Sequence, residues 1–247
     1  MSKKIMDRTR GALVLILLPI LTFLASIAGI IGLLVFRVSA RTIQAVPALW
    51  ARILLKVAGV EVTVEGMENI EKDKTYIFAA NHQSQFDIFA MHAAFPHEFR
   101  WLAKKELFRI PLFGMAMRLA GYLEVDRSHG RQAMKSLVEA AKTIARGSSV
   151  IIFPEGTRTP DGRLQRFKGG STVIAVKSGV PMVPVAITGT YEILPKGKLL
   201  ARPGRITIRV GEPVDTAGFT MKQKHELADL VHDKVAELLK TDGSRKE

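Results

Sequence analysis

Residues 11–36 form an apolar run without a single charged side chain, flanked by Arg8, Arg10, Arg37 and Arg41. At about 1.5 Å of helical rise per residue, such a run can cross a hydrocarbon core of about 30 Å. It is longer than the apolar region of a cleavable signal peptide and shows no small-residue cleavage pattern, so a retained membrane anchor is expected. Pro19 and the Ser26-Ile27-Ala28-Gly29 stretch leave both a spanning and a kinked, re-entrant form open. In residues 42–60 the apolar Val46, Leu49, Trp50, Ile53, Leu54 and Val57 alternate with Arg52 and Lys56 at helical spacing. The expected element is an amphipathic helix in the membrane interface with Trp50 at headgroup depth, the alternative being a core helix.

Beyond residue 60 the periodicity changes. Residues 62–64, 76–80, 149–153 and 182–187 read as short buried strands, and 206–210 as an alternating one. Helices are expected over 84–94, 130–145 (stopped by Gly147), 172–177 (stopped by Gly179) and 222–240. Strands interleaved with helices predict an α/β fold, a central mixed sheet flanked by helices, with an N-terminal membrane-associated helical segment. The division expected is 1–60 for the anchoring helices and 61–247 for the α/β domain. Thr159, Pro160, Asp161 and Gly162 predict a loop that could act as a mobile flap, and the polar tail 241–247 a disordered end.

At 247 residues the chain can bury one sizeable core. Its formal charge of +13 calls for anionic partners. Basic residues are dispersed, and no nucleic-acid recognition signature is present, so lipid headgroups and phosphate-bearing substrates fit better than nucleic acid. The chain contains no cysteine, which excludes disulfides, thiolate metal sites and a cysteine nucleophile. Any thioester chemistry must use a thiol brought by the substrate.

Two polar clusters follow predicted strands, where open α/β sheets place their ligands. In the first, His82 and Asp87 are five positions apart: imidazole suits a general base near neutral pH, and a carboxylate beside it can fix the tautomer. Ser84-x-x-Asp87 is also a capping box, so Asp87 could start a helix, hold His82, or do both. The second cluster is Phe153-Pro154-Glu155-Gly156-Thr157-Arg158, whose guanidinium is shaped for phosphate while Gly156 admits close backbone approach. Neither His82 nor Asp87 has a further ligand at metal-binding spacing nearby, and no metal is expected. The apolar residues Leu107, Phe108, Ile110, Leu112, Phe113, Met115, Met117 and Leu119 fit either ordinary core or the lining of an acyl tunnel.

The N-H-x-S-x-x-D pattern at 81–87, Gly121-Tyr122-Leu123-Glu124-Val125-Asp126-Arg127, F-P-E-G-T-R at 153–158, and Val180-Pro181-Met182-Val183-Pro184-Val185 occur in that order. Together with Lys104-Lys105-Glu106-Leu107, residues 111–114 and Phe167-Lys168-Gly169, they resemble the blocks of the glycerolipid acyltransferases, most closely the bacterial 1-acylglycerol-3-phosphate acyltransferases. Glu124 departs from the family, which usually carries an apolar residue or a proline there. The resemblance implies transfer of a fatty acyl group onto lysophosphatidic acid, giving phosphatidic acid. His82 and Asp87 would be catalytic. Lys105, Arg127 and Arg158 would bind the acceptor's phosphate, with Glu155, Gly156 and Thr157 at its polar edge. The implied donor is a thioester of acyl carrier protein or coenzyme A, with no other cofactor. The implied partners are membrane lipids, and the implied place is a bacterial inner membrane with the catalytic domain on the cytoplasmic side. Glycerol-3-phosphate or another lysolipid is an alternative acceptor. A non-enzymatic lipid-binding protein of the membrane surface is the alternative of a different class, in which His82 would be dispensable.

Overall fold

The computed structural model describes residues 2–39, 41–126 and 130–240. In chain order the elements are α1 (Lys3–Leu34), α2 (Ala45–Ala58), β1 (Val60–Glu65), β2 (Ile77–Ala80), α3 (Phe86–Ala94), β3 (Arg100–Lys104), α4 (Phe113–Leu119) and β4 (Leu123–Val125). They continue with α5 (Arg131–Ala145), β5 (Val150–Ile152), α6 (Gly169–Ser178), β6 (Met182–Thr188), α7 (Thr190–Ile193), β7 (Gly204–Val210) and α8 (Lys224–Lys240). The strands form one sheet in the order β1-β7-β6-β2-β5-β3-β4. All neighbours run parallel except β6 and β7, which are antiparallel. The expected mixed α/β sheet is therefore present.

Strands β2, β5 and β6 are buried almost throughout, as the centre of a sheet covered on both faces requires. On β2 the alternation divides the core: Phe78 and Ala80 pack with Leu54, Phe86, Phe89 and Val183, while Ile77 and Ala79 pack with Ile144, Ile174, Leu227 and Val231. Helices α2 and α3 thus cover one face, and α5, α6 and α8 the other. Strand β3 was not anticipated. Its residues Arg100, Trp101, Leu102, Ala103 and Lys104 begin and end on a charge and lack a β-branched side chain, so no period-2 signal marks them.

Helix α1 is continuous through Pro19 and Gly29. Thr22 and Ser26 return their hydroxyl protons to the carbonyls of Leu18 and Thr22 within the helix. Its inward stripe is small, with Gly11, Val14, Ser26 and Gly29 buried, and a Cβ at Gly11 would meet the Ala201 carbonyl oxygen at 2.6 Å. Its outward stripe, including Ile16, Ile20, Phe23 and Leu24, is exposed. Helix α2 divides in the same way. Ala51, Leu54, Leu55 and Ala58 are buried in the sheet-facing core, whereas Leu49 and Ile53 are exposed. Trp50 points inward: its indole N–H donates to Thr22 Oγ1 at 3.2 Å, and its ring meets Phe89 edge-on at 5.0 Å. Gly59 ends α2 in the left-handed conformation (φ 71°) and turns the chain into β1.

Candidate active site

The turn after β2 is built to present one side chain. Asn81 is buried and continues the sheet with its side chain, donating from Nδ2 to the Ile187 carbonyl at 2.8 Å and accepting the Ile187 N–H at 2.7 Å. Beyond this clamp the chain leaves the sheet, and His82 projects. Its Nδ1 lies 2.7 Å from Asp87 Oδ2. The same carboxylate oxygen accepts the backbone N–H groups of Gln83 at 2.8 Å and Ser84 at 2.9 Å. Asp87 is fully buried in the first turn of α3, so one oxygen both stabilises the helix start and orients the imidazole. Ser84 is not the N-cap, a position taken by Gln85. Its hydroxyl instead accepts the Phe86 N–H at 3.2 Å and donates to the Leu194 carbonyl at 2.7 Å.

The second cluster, on the turn after β5, grips the same residue. Glu155 is 2% exposed, and its Oε1 accepts the His82 backbone N–H at 2.7 Å. The Thr159 N–H donates to the His82 carbonyl at 2.9 Å. The Phe153 ring stacks on the imidazole with centroids 3.8 Å apart and planes 8° from parallel. Burial pushes the Glu155 carboxyl up to about 7, against the pull of the His82 and Gln165 backbone amides. The loop expected to be a flap is tied to this assembly: Gln83 Nε2 donates to the Gly162 carbonyl at 2.8 Å and the Tyr191 hydroxyl to the Pro160 carbonyl at 3.2 Å.

His82 opens onto a cavity of about 600 Å³. Gly156, Thr157 and Arg158 line it together with Trp50, Ile88, Met117 and Tyr122. A volume of this size is usual for a small-molecule site. The Arg158 guanidinium makes no hydrogen bond or ion pair among the described residues and lines the cavity beside His82. Of the apolar stretch 107–119, Leu107, Phe113 and Met117 line the cavity, while Phe108 is core and Ile110 is exposed.

The predicted site residues are thus dispersed unequally. His82, Asp87, Glu155, Gly156, Thr157 and Arg158 converge. Lys105, at the start of a 3₁₀ turn after β3, forms an ion pair with Asp126 beyond β4 and does not line the cavity. Arg127 lies outside the described residues. Two lysines join the second cluster. Lys196 Nζ donates to the Arg158 carbonyl at 3.1 Å and to Thr157 Oγ1 at 3.3 Å, and Lys168 Nζ would lie 2.9 Å from a Cβ on Gly156, whose φ is 78°. No periodicity or motif links Lys196 to Arg158, since 38 residues separate them. Lys168 was visible only as part of the Phe167-Lys168-Gly169 block.

Residues 61–188 match the family model described as Acyltransferase. The 1-acyl-sn-glycerol-3-phosphate acyltransferase of Limnanthes douglasii is 35% identical over 182 residues, which cover 73% of this chain and 64% of that protein. The chain therefore spans less than two thirds of that relative's length. The 1-acyl-sn-glycerol-3-phosphate acyltransferase alpha of Mus musculus is 32% identical over 190 residues, covering 75% of this chain and 67% of the mouse protein. The crystal structure of the 1-acyl-sn-glycerophosphate acyltransferase from Thermotoga maritima superposes with a TM-score of 0.71 at 32% identity, covering 94% of this chain and 97% of that one.

Proposed function

The chain belongs to the acyltransferase family, and on that premise we propose that it transfers a fatty acyl group from a thioester to the 2-hydroxyl of 1-acylglycerol-3-phosphate, releasing phosphatidic acid and a free thiol. The observation that carries this reading is the 2.7 Å His82–Asp87 pair, whose imidazole lines a largely apolar cavity shared with an Arg158 guanidinium that is unpaired among the described residues. An imidazole held through Nδ1 by a carboxylate has its proton there, which leaves Nε2 to accept one. As the acceptor's hydroxyl attacks the thioester carbonyl, its proton passes to His82 Nε2. The carbon–sulfur bond then breaks, and the departing thiolate takes that proton back. No residue becomes acylated, and the absence of cysteine is no obstacle.

Arg158 has the geometry to take the acceptor's phosphate in a bidentate grip, with Lys196 adding positive charge at the same turn. Lys105 has its charge engaged by Asp126, so its contribution would require that pair to open. The cavity suits alkyl chains. The exposed apolar stripe of α1, with Leu49 and Ile53 of α2, supports attachment in which α1 lies against the catalytic domain and in the membrane interface.

The test is formation of phosphatidic acid by purified protein from lysophosphatidic acid and an acyl thioester. His82→Ala should lower turnover by about 10²–10⁴-fold, the usual contribution of a general base. Turnover at the wild-type rate in that variant would refute the mechanism.

A further inference from the structure

We propose that His92 and Tyr122 form a hydrogen-bonding spot inside the otherwise apolar cavity that recognises an acceptor oxygen on a lipid substrate and so selects which lipids react. This inference rests on the reading of the cavity as the lipid site.

Gln85, Ile88 and His92 fall at the helical spacing that aligns side chains, and all three line the cavity from α3. His92 is packed among Trp50, Phe99, Trp101 and Tyr122, with ring centroids 6.2, 5.4, 5.7 and 6.3 Å away. The Trp101 indole N–H donates to His92 Nε2 at 2.7 Å. An indole nitrogen can only donate, so Nε2 must be the accepting nitrogen and the ring proton must sit on Nδ1. Burial depresses the His92 pKa to about 3, which keeps the ring neutral and this tautomer in place. Burial raises the Tyr122 hydroxyl above its usual range, so it too keeps its proton.

Neither His92 Nδ1 nor the Tyr122 hydroxyl makes a hydrogen bond among the described residues. Both residues line the cavity, and His92 is only half-buried despite its four aromatic neighbours. A bare alkyl chain laid against this wall would leave both donors unpaired, whereas an oxygen would satisfy them. A ladder of rings joins the spot to the reaction centre, from His82 to Phe153 at 3.8 Å, to Trp101 at 5.4 Å and to His92 at 5.7 Å. A lipid reacting at His82 can therefore reach it. The oxygen could be the ester carbonyl of the acceptor's first acyl group or a hydroxyl on the transferred chain.

The experiment compares kcat/KM for two substrate pairs: ester-linked lysophosphatidic acid against its 1-O-alkyl analogue, and a 3-hydroxyacyl thioester against the unsubstituted thioester of equal length. We expect wild type to prefer the oxygen-bearing member of one pair by about tenfold, the size of one hydrogen bond. The pair that shows the preference identifies the source of the oxygen. His92→Leu should bring that ratio close to one, Tyr122→Phe should reduce it, and His92→Gln, which keeps an N–H donor, should restore part of it. Ratios near one for both pairs in wild type, or a preference unchanged in Tyr122→Phe and His92→Leu, would overturn the proposal. If His92→Leu fails to fold, Tyr122→Phe, which removes a single oxygen, decides the matter. If wild type transfers no acyl group, the proposed function fails by itself, and calorimetric binding of the ester and ether lipids to the same variants carries the comparison.

Discussion

Replacing Asp87 by asparagine separates the carboxylate's charge from its shape. Three N–H donors, from His82, Gln83 and Ser84, converge on Oδ2 at 2.7–2.9 Å. An asparagine must turn its carbonyl oxygen toward them, because its amide NH₂ would oppose all three. The His82 tautomer should therefore survive, unlike in a serine protease triad, where the same substitution yields the wrong tautomer and costs about 10⁴ in kcat. What disappears is the negative charge beside the imidazolium. A hydrogen bond to a charged group is worth about 1.5–3 kcal/mol, against about 0.5–1.5 kcal/mol for a neutral one, so the charge contributes about 1–2 kcal/mol. Turnover in Asp87→Asn should then fall roughly 5- to 30-fold. The new NH₂ group takes the place of Oδ1, itself buried with no hydrogen-bond partner among the described residues, so one unpaired buried group replaces another. The stability cost is the weakening of the two backbone-amide bonds from charged to neutral, about 1–2 kcal/mol, which should lower Tm by about 2–4 °C for each kcal/mol. Steady-state kinetics and thermal unfolding on the same preparation check both. Unchanged turnover would reduce Asp87 to a helix-start residue. A loss of about 10⁴ with unaltered Tm would mean that the two backbone amides do not hold the side chain.

The Glu155 carboxyl, held up at about 7 against an ordinary 4.5, binds its proton more tightly in the folded chain than in the unfolded one. It therefore destabilises the fold progressively as pH rises from about 4.5 to about 7, and fully above that. Glu155→Gln should flatten the fall in unfolding free energy across this window in urea denaturation, and parallel curves would refute it. Arg158→Lys keeps the charge but loses the planar fork. The acceptor's KM should rise by roughly ten- to a hundredfold, equivalent to about 1.5–3 kcal/mol, with little change for the donor, whereas a change confined to the donor would reassign Arg158. Membranes washed at high salt should retain the protein, because salt screens headgroup attraction but not apolar burial. Release by salt alone would show that the apolar face of α1 is not inserted.

The elements that were legible in sequence are those whose signal is local. Strands β2, β5 and β6 are uninterrupted apolar runs, and α5 and α8 keep an apolar stripe over many turns. His82 and Asp87 share one turn and one helix start, so their contact follows from spacing alone. What could not be read were relations across the sheet. Phe153 looked like the last residue of a buried strand, but it is the plate against which His82 stacks. Nothing local marks His92, because Trp101, which fixes its tautomer, comes from a strand without a period-2 signal. The ion pair of Lys105, expected at the phosphate, with Asp126 joins the residues just after β3 and β4 and is marked by no local pattern. Arg158 differs, because nothing in the described fold engages its guanidinium.

The two polar blocks, 73 residues apart, act as one device through a single residue. Asp87 holds the His82 side chain, whereas Glu155 and the Thr159 amide hold its backbone on either side, and Phe153 closes one face of the ring. A general base must stay within hydrogen-bonding reach of the proton it takes, and an error of about 1 Å can cost about 10²-fold. Supporting the imidazole from β2, α3 and the turn after β5 removes its freedom to drift. The need for a side-chain acceptor at 155 then follows without substrate contact. Its oxygen accepts a backbone N–H that would otherwise be buried unpaired, at the position where a shift would move the base. On the proposed mechanism, fixing the ring in this way would leave selectivity to the cavity wall and to Arg158, which could change without disturbing the reaction centre.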